Sequence, residues 1–185
     1  FKAKVASGEG LTYGSAGVGT LLHIATAVMA DNMGVGLDNL THVPFKGGGK
    51  ARAAIIGGKV DFMWQNLSGV INAIKAGQLK ALAITTPERF AAVGDIPTVG
   101  ELGYPGMEKI VGWSAIYGPK NLPKPILNRW VETLKKLEQD KAWNRMTKGL
   151  GNVVDVRSPE ETKAFVQAQY EAFDSTLNKL GLRVE

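Results

Sequence analysis

Leu11-Thr12-Tyr13-Gly14-Ser15-Ala16-Gly17-Val18-Gly19-Thr20-Leu21-Leu22-His23 is the stretch on which the fold turns. Residues 11–13 form a short apolar run that reads as a strand, and glycines follow at 14, 17 and 19. Residues 20–32 then read as a helix, with Leu21, Leu22, Ala25, Val28 and Met29 at helical spacing. Gly34 and Gly36 stop it.

The chain repeats this unit. Residues 40–45 predict a second strand, broken by Lys46-Gly47-Gly48-Gly49, and residues 50–56 a short helix ended by Gly57-Gly58. Residues 60–64 predict a third strand, followed by Gln65-Asn66-Leu67-Ser68-Gly69 and a helix to Ala76. Residues 79–85 predict a fourth strand. Alternating strands and helices imply parallel pairing in an α/β fold. Ligands of such sheets sit beyond the carboxyl ends of the strands. The turn-rich segments fall at those ends three times over.

Residues 87–112, rich in proline and glycine, read as a loop-rich connection. Beyond it the pattern predicts a strand over 111–117, helices over 123–139 and 141–149, and a strand over 153–156. Ser158-Pro159-Glu160-Glu161 carries the marks of a helix start, with Ser158 as cap and Glu161 three residues on. That helix is expected to run to about Leu180, with Gly181 ending it.

Composition narrows the function classes. The 185 residues are 44% hydrophobic and 21% charged, an ordinary globular balance with ample material for a core. No segment is apolar long enough to span a bilayer, so the chain is not expected to be membrane-embedded. The net charge of +5 is scattered, without a basic run or interleaved aromatics, which disfavours a nucleic-acid partner. The absence of cysteine excludes disulfides, thiolate metal sites and cysteine nucleophiles. Phe1 is not an initiator methionine and no leader pattern follows it, as expected of a mature or partial chain.

Several residues carry possible chemistry. The turn from Gly14 to Thr20 can cradle an anion with backbone N–H groups at a helix start, with Ser15 and Thr20 adding hydroxyls. The same glycines can equally serve a tight strand-to-helix turn. The order matches neither the dinucleotide nor the P-loop pattern, since Leu22 stands where a third glycine would belong. Phe45-Lys46-Gly47 is a second candidate cradle, in which Lys46 either meets a carboxylate or is simply solvated. Gln65 and Asn66 end the third strand, where amides bind ligand groups or cap the next helix. His23, one turn into the first helix, can assist an anion or buttress the helix, and His42 reads as a packed strand residue. Two histidines without an acidic cluster give no metal-ligand spacing. Trp64 and Trp113 can wall a pocket or pack in the core.

Taken in order, these segments resemble the Bug family, the extracytoplasmic solute-binding receptors of tripartite tricarboxylate transporters. Tyr13 to His23 resembles that family's signature helix start. His42-Val43-Pro44-Phe45-Lys46-Gly47 resembles its H-V-P-[YF]-K-G segment, and Gly57-Gly58-Lys59-Val60-Asp61-Phe62-Met63 its G-G-x-V-D-x-M segment. Residues 74–83 and 96–103, then Trp113, Gly118-Pro119 and Pro123-Lys124-Pro125, continue the match.

The resemblance implies a periplasmic-binding-protein-like fold of type II, with two lobes of mainly parallel sheet flanked by helices. It implies no enzyme activity and no cofactor, a small carboxylate as ligand, permease subunits as membrane partners and a periplasmic location. Position by position it points to Ser15, Ala16, Gly17, Gly19, Thr20 and His23 in the first turn. Pro44, Phe45, Lys46, Gly47, Gln65 and Asn66 would form the neighbouring rim. Members often carry an acid where Gln65 stands, so Gln65 argues against an amine-bearing ligand. Residues 10–110 are expected to form one lobe nearly whole. Residues 111–185 are expected to return to the other, whose N-terminal third of the family fold precedes this sequence. The residues alone leave two alternatives. One is a nucleotide- or phosphate-binding enzyme at the Gly14–Gly19 turn, for which no general base is evident. The other is a regulator's ligand-sensing domain, for which no helix-turn-helix is present.

Overall fold

Three parallel strands carry the first half of the molecule. The computed structural model describes residues 3, 4, 7, 9–179 and 181. Strands β1 (Leu11–Ser15), β2 (Leu40–Pro44) and β3 (Phe62–Met63) form one sheet in the order β2-β1-β3. The register sets Tyr13 opposite His42 and Ser15 opposite Pro44 on one side, and Tyr13 opposite Phe62 on the other. β3 is shorter than the expected 60–64. Asp61 instead takes the Thr12 N–H and hydroxyl with its carboxylate, at 2.8 and 2.6 Å, and donates its own N–H to the Thr12 carbonyl.

Helix α1 (Leu21–Met33) crosses from β1 to β2 and is buried on most sides, through Ile24, Ala25, Thr26, Ala27, Met29 and Ala30. Ala30 packs with Leu11, Tyr13 and Leu40 against the sheet. Ala25 and Met29 pack with Val99, Met107 and Ile110 on the other side, where Trp64 also joins. Gly34 ends the helix at φ 65°, and the Val35 N–H returns to the Ala30 carbonyl at 2.8 Å, leaving Val35 against the core. Helices α2 (Gly48–Ile56) and α3 (Leu67–Lys75) follow β2 and β3. Gly48 and Gly49 therefore begin α2 and do not belong to a loop. A side chain at Gly48 would press on the Gln65 amide, so close approach explains that glycine.

Three expected strands do not form among the described residues. The run 79–85 makes one parallel bridge, Ile84 to Thr98, and no strand. Residues 111–117 and 153–156 are irregular, with Ile116, Tyr117 and Val153 more than 60% exposed. A strand is stable only when a neighbour takes its backbone groups, and no described segment pairs with these. The C-terminal helices match the sequence reading: α4 (Lys124–Gln139), α5 (Lys141–Gly149) and α6 (Pro159–Lys179). Ser158 and Glu161 form the expected reciprocal cap, with the Ser158 N–H on the Glu161 carboxylate and the Glu161 N–H on the Ser158 hydroxyl. Leu180, the expected helix end, and residues 182–185 of the expected C-terminal unit lie outside the described residues. None of α4, α5 and α6 contains a buried residue, and Ile126 and Trp130 line an open groove on α4. No helix is long and apolar enough to cross a membrane among the described residues.

Candidate functional site

Each of the three strands runs directly into a helix start, and the three starts share one chemical peculiarity. The N-caps of α1, α2 and α3 are Thr20, Gly47 and Asn66, and none gives a side-chain cap. None of these helices has an acid in its first turn. The first N–H groups of a helix lack intrahelical acceptors and carry the positive end of its dipole. Two of the later helices neutralise such ends, while α4, entered through Pro123, has neither a side-chain cap nor an acid in its first turn. Asp140 caps α5, and Ser158 with Glu160 and Glu161 serves α6. At the carboxyl edge of the sheet the ends are left bare.

Backbone and amide bonds draw the bare ends together. The Gly47 N–H donates to the Ala16 carbonyl at 3.1 Å, and the Phe45 N–H to the Ser15 carbonyl at 3.0 Å. Gln65 Nε2 donates to the Gly48 carbonyl at 3.1 Å, while its Oε1 accepts the Asn66 N–H at 3.0 Å. Arg52 of α2 donates through Nη1 to the Gly69 carbonyl of α3 at 2.6 Å. Between α2 and α3 lies a cavity of about 200 Å³ lined by Gly48, Arg52, Gln65, Asn66 and Ser68.

The first turn is held from inside. Ser15 is fully buried. Its hydroxyl donates to the Gly17 carbonyl at 3.0 Å and accepts the Gly17 N–H at 3.1 Å. Thr20 also donates to the Gly17 carbonyl, at 2.7 Å. Gly17 at φ 142° and Gly19 at φ 73° supply backbone conformations that side-chain-bearing residues rarely adopt.

Two histidines lie beneath this turn. His42 Nε2 is 2.7 Å from Ser15 Oγ, and His23 Nδ1 accepts the Gly19 N–H at 3.2 Å. Their rings stack at 4.1 Å and 5°, and Tyr13 stacks on His42 at 4.7 Å. Burial lowers the pKa of His23. Burial, followed by the nearby His23, brings His42 down to about 4. Both rings are neutral at pH 7. Burial raises the Tyr13 phenol above its ordinary value.

The structure thus gathers Ser15, Ala16, Gly17, Gly19, Thr20 and His23 in one turn, with Pro44, Phe45, Lys46 and Gly47 on the adjoining loop and Gln65 and Asn66 on the third. Ser15 and Thr20 spend their hydroxyls on the turn itself. Lys46 is exposed at the rim. Asn66 stands at the cap position of α3 without making the expected cap bond, and its amide lies where a side chain on Gly112 would strike it. Trp113 meets the Phe165 ring edge-on at 5.6 Å. His42 and Arg52 were not legible as site residues. The parallel register that sets His42 beside Tyr13 would have revealed the first. Among the described residues no cluster of three His, Cys, Asp or Glu could hold a metal ion.

The chain is similar to known proteins over nearly its whole length. Residues 2–182 match the tripartite tricarboxylate transporter family receptor, TctC. A UPF0065 protein from the TAR-I ttuE–ttuC' intergenic region of Agrobacterium vitis is 30% identical over 174 residues, 92% of this chain and 49% of that protein. The periplasmic binding protein BugD superposes with a TM-score of 0.85 at 27% identity, covering all of this chain and 61% of that one. MatC of Rhodopseudomonas palustris, solved with bound malate, superposes with a TM-score of 0.82 at 27% identity, over 95% of this chain and 60% of that one. The chain spans about half the length of the curated relatives it matches. The α/β architecture is that of the periplasmic binding proteins, and the chain belongs to the receptor family of the tripartite tricarboxylate transporters.

Proposed function

We propose that this chain carries one wall of a carboxylate-binding cleft. The whole receptor would capture a small di- or tricarboxylic or aromatic acid in the periplasm and deliver it to the permease subunits of a tripartite transporter. The observation that carries this reading is the meeting of three uncapped, acid-free helix starts at one sheet edge. Such an edge stabilises negative charge, through charge-assisted bonds from N–H groups and through the dipoles behind them. The malate in MatC supports the ligand class. Residues 10–110 then form one lobe and residues 111–185 return to the other, and closure of the lobes encloses the acid. The role is binding without catalysis. Arg52 and Lys46 add positive charge at the rim, and Gln65 offers an amide where an ammonium-bearing ligand would need an acid.

Calorimetric titration of the full-length protein against acetate, malate, citrate, benzoate and glutamate tests the proposal. Saturable one-to-one binding of at least one non-amino acid, tighter than glutamate, is expected. Heat-silent titrations throughout, or tight binding of glutamate alone, would contradict it.

A further inference from the structure

We infer that His23 and His42 act as a proton-accepting brace under the first turn, so that carboxylate capture there takes up a proton at His23 Nδ1. The inference rests on the reading of that turn as the carboxylate site and adds a regulation to it.

The Ser15 oxygen accepts the Gly17 N–H and has one hydrogen to give, within reach of both the Gly17 carbonyl at 3.0 Å and His42 Nε2 at 2.7 Å. His42 Nε2 accepts that hydrogen or donates its own according to its tautomer, and in either tautomer the neutral ring holds Ser15. His23 accepts the Gly19 N–H at Nδ1, so its hydrogen is on Nε2. The two rings therefore hold both ends of the turn, Gly17 through Ser15 and Gly19 directly, in the neutral state.

An anion at the turn disturbs this arrangement at one point. A carboxylate that recruits the Gly19 N–H takes it from His23 Nδ1, and the exposed lone pair of a neutral ring then faces negative charge. A proton from solvent on Nδ1 turns that repulsion into a charge-assisted N–H···O bond. The 4.1 Å stack limits the uptake to one proton, because two cations at that separation repel strongly. The groups facing the pair are Tyr13 from β1 and each other across β2 and α1, with Phe62 of β3 behind Tyr13. Burial and the partner histidine alone shift the pair, so the proton has no competing carboxylate among the described residues. By linkage, affinity rises as pH falls toward 6.

The test is calorimetry on the full-length protein with acetate, malate, citrate and benzoate, each in buffers of different ionisation enthalpy, at pH 6.0 and 7.5. For the tightest acid we expect uptake of about half a proton at pH 6.0 and affinity about 3–10-fold higher than at pH 7.5. His23→Asn leaves an oxygen for the Gly19 N–H but cannot take the proton, and is expected to abolish the uptake. NMR of the histidine ring protons should show the His23 titration moving to higher pH in the complex. Binding with buffer-independent enthalpy, or uptake that persists in His23→Asn, overturns the inference. Absence of binding by all four acids overturns the carboxylate site and the inference with it.

Discussion

Gln65 bridges two helix starts: its Nε2 donates to the Gly48 carbonyl at 3.1 Å while its Oε1 holds the Asn66 N–H. The amide does both because it carries a donor and an acceptor on one rigid plane. Gln65→Ala leaves the Gly48 carbonyl and the Asn66 N–H without these partners and is expected to cost about 1–2 kcal/mol in urea unfolding. Gln65→Glu sets a carboxylate against the Gly48 carbonyl and puts negative charge beside the bare helix ends. Carboxylate affinity should fall about tenfold or more, measured by calorimetry.

The two turn glycines differ from their neighbour Gly14. A side chain on Gly17 has room, with nothing nearer than 3.7 Å, so the penalty of Gly17→Ala is conformational and arises from φ 142°. It is expected to cost about 1–2 kcal/mol and to weaken binding by misplacing the amides that follow. Gly14→Ala keeps an ordinary strand conformation but pushes on Val60 and Phe45, at 3.3 and 3.4 Å. Crystal structures of the two variants should show a moved turn in the first and a shifted Phe45 in the second.

Stability should fall on mild acidification. His42 titrates at about 4 in the folded chain and near 6.5 when unfolded, so the unfolded state binds its proton first as pH drops. The stabilisation is complete above about pH 6.5 and is lost between 6.5 and 4, with no further loss from this group below. Allowing for solvent screening of a half-exposed ring, the loss is about 1–2 kcal/mol. Urea midpoints at pH 7.5, 5.5 and 4.0 measure it, and His42→Asn should flatten the profile.

Asp61 acts in a lower window. Its carboxyl lies below the usual range, chiefly because the Thr12 hydroxyl and N–H donate to it. Its contribution is present above about pH 4 and fades as pH falls through the lowered value. Asp61→Ala should cost about 1 kcal/mol at pH 7 and loosen the β1–β3 register, seen as faster amide exchange at Thr12 and Tyr13.

Local chemistry made much of this fold legible. Glycine turns, proline starts and helical spacing placed α1, α3 and the three C-terminal helices within one or two residues. Pairing is non-local, and there the sequence said less. The apolar run at 79–85 looks like the others but meets the chain at one bridge, where the Ile84 N–H donates to the Pro97 carbonyl and the Val99 N–H to the Ile84 carbonyl. Residues 111–117 have strand chemistry and no paired neighbour among the described residues. At the strand ends, the residue types of the three loops were readable, but glycines and amides there serve turns and helix starts as readily as a ligand. The work assigned to each was not. Ser15 looked like a ligand donor and spends its hydroxyl on Gly17 and His42. His42 looked like packing and proves to hold that serine, because register and the return of α1 bring three distant rings together.

The central claim is that an acid binds at the meeting of three bare helix starts. The most direct measurement is the change in backbone amide shifts as the ¹⁵N-labelled full-length protein is titrated with its tightest carboxylate. The largest changes are expected at Val18, Gly19, Leu21 and Leu22, with Gly48, Gly49 and Leu67 next. Changes centred on α4 to α6, or on the opposite sheet edge at Thr12 and Asp61, would contradict it.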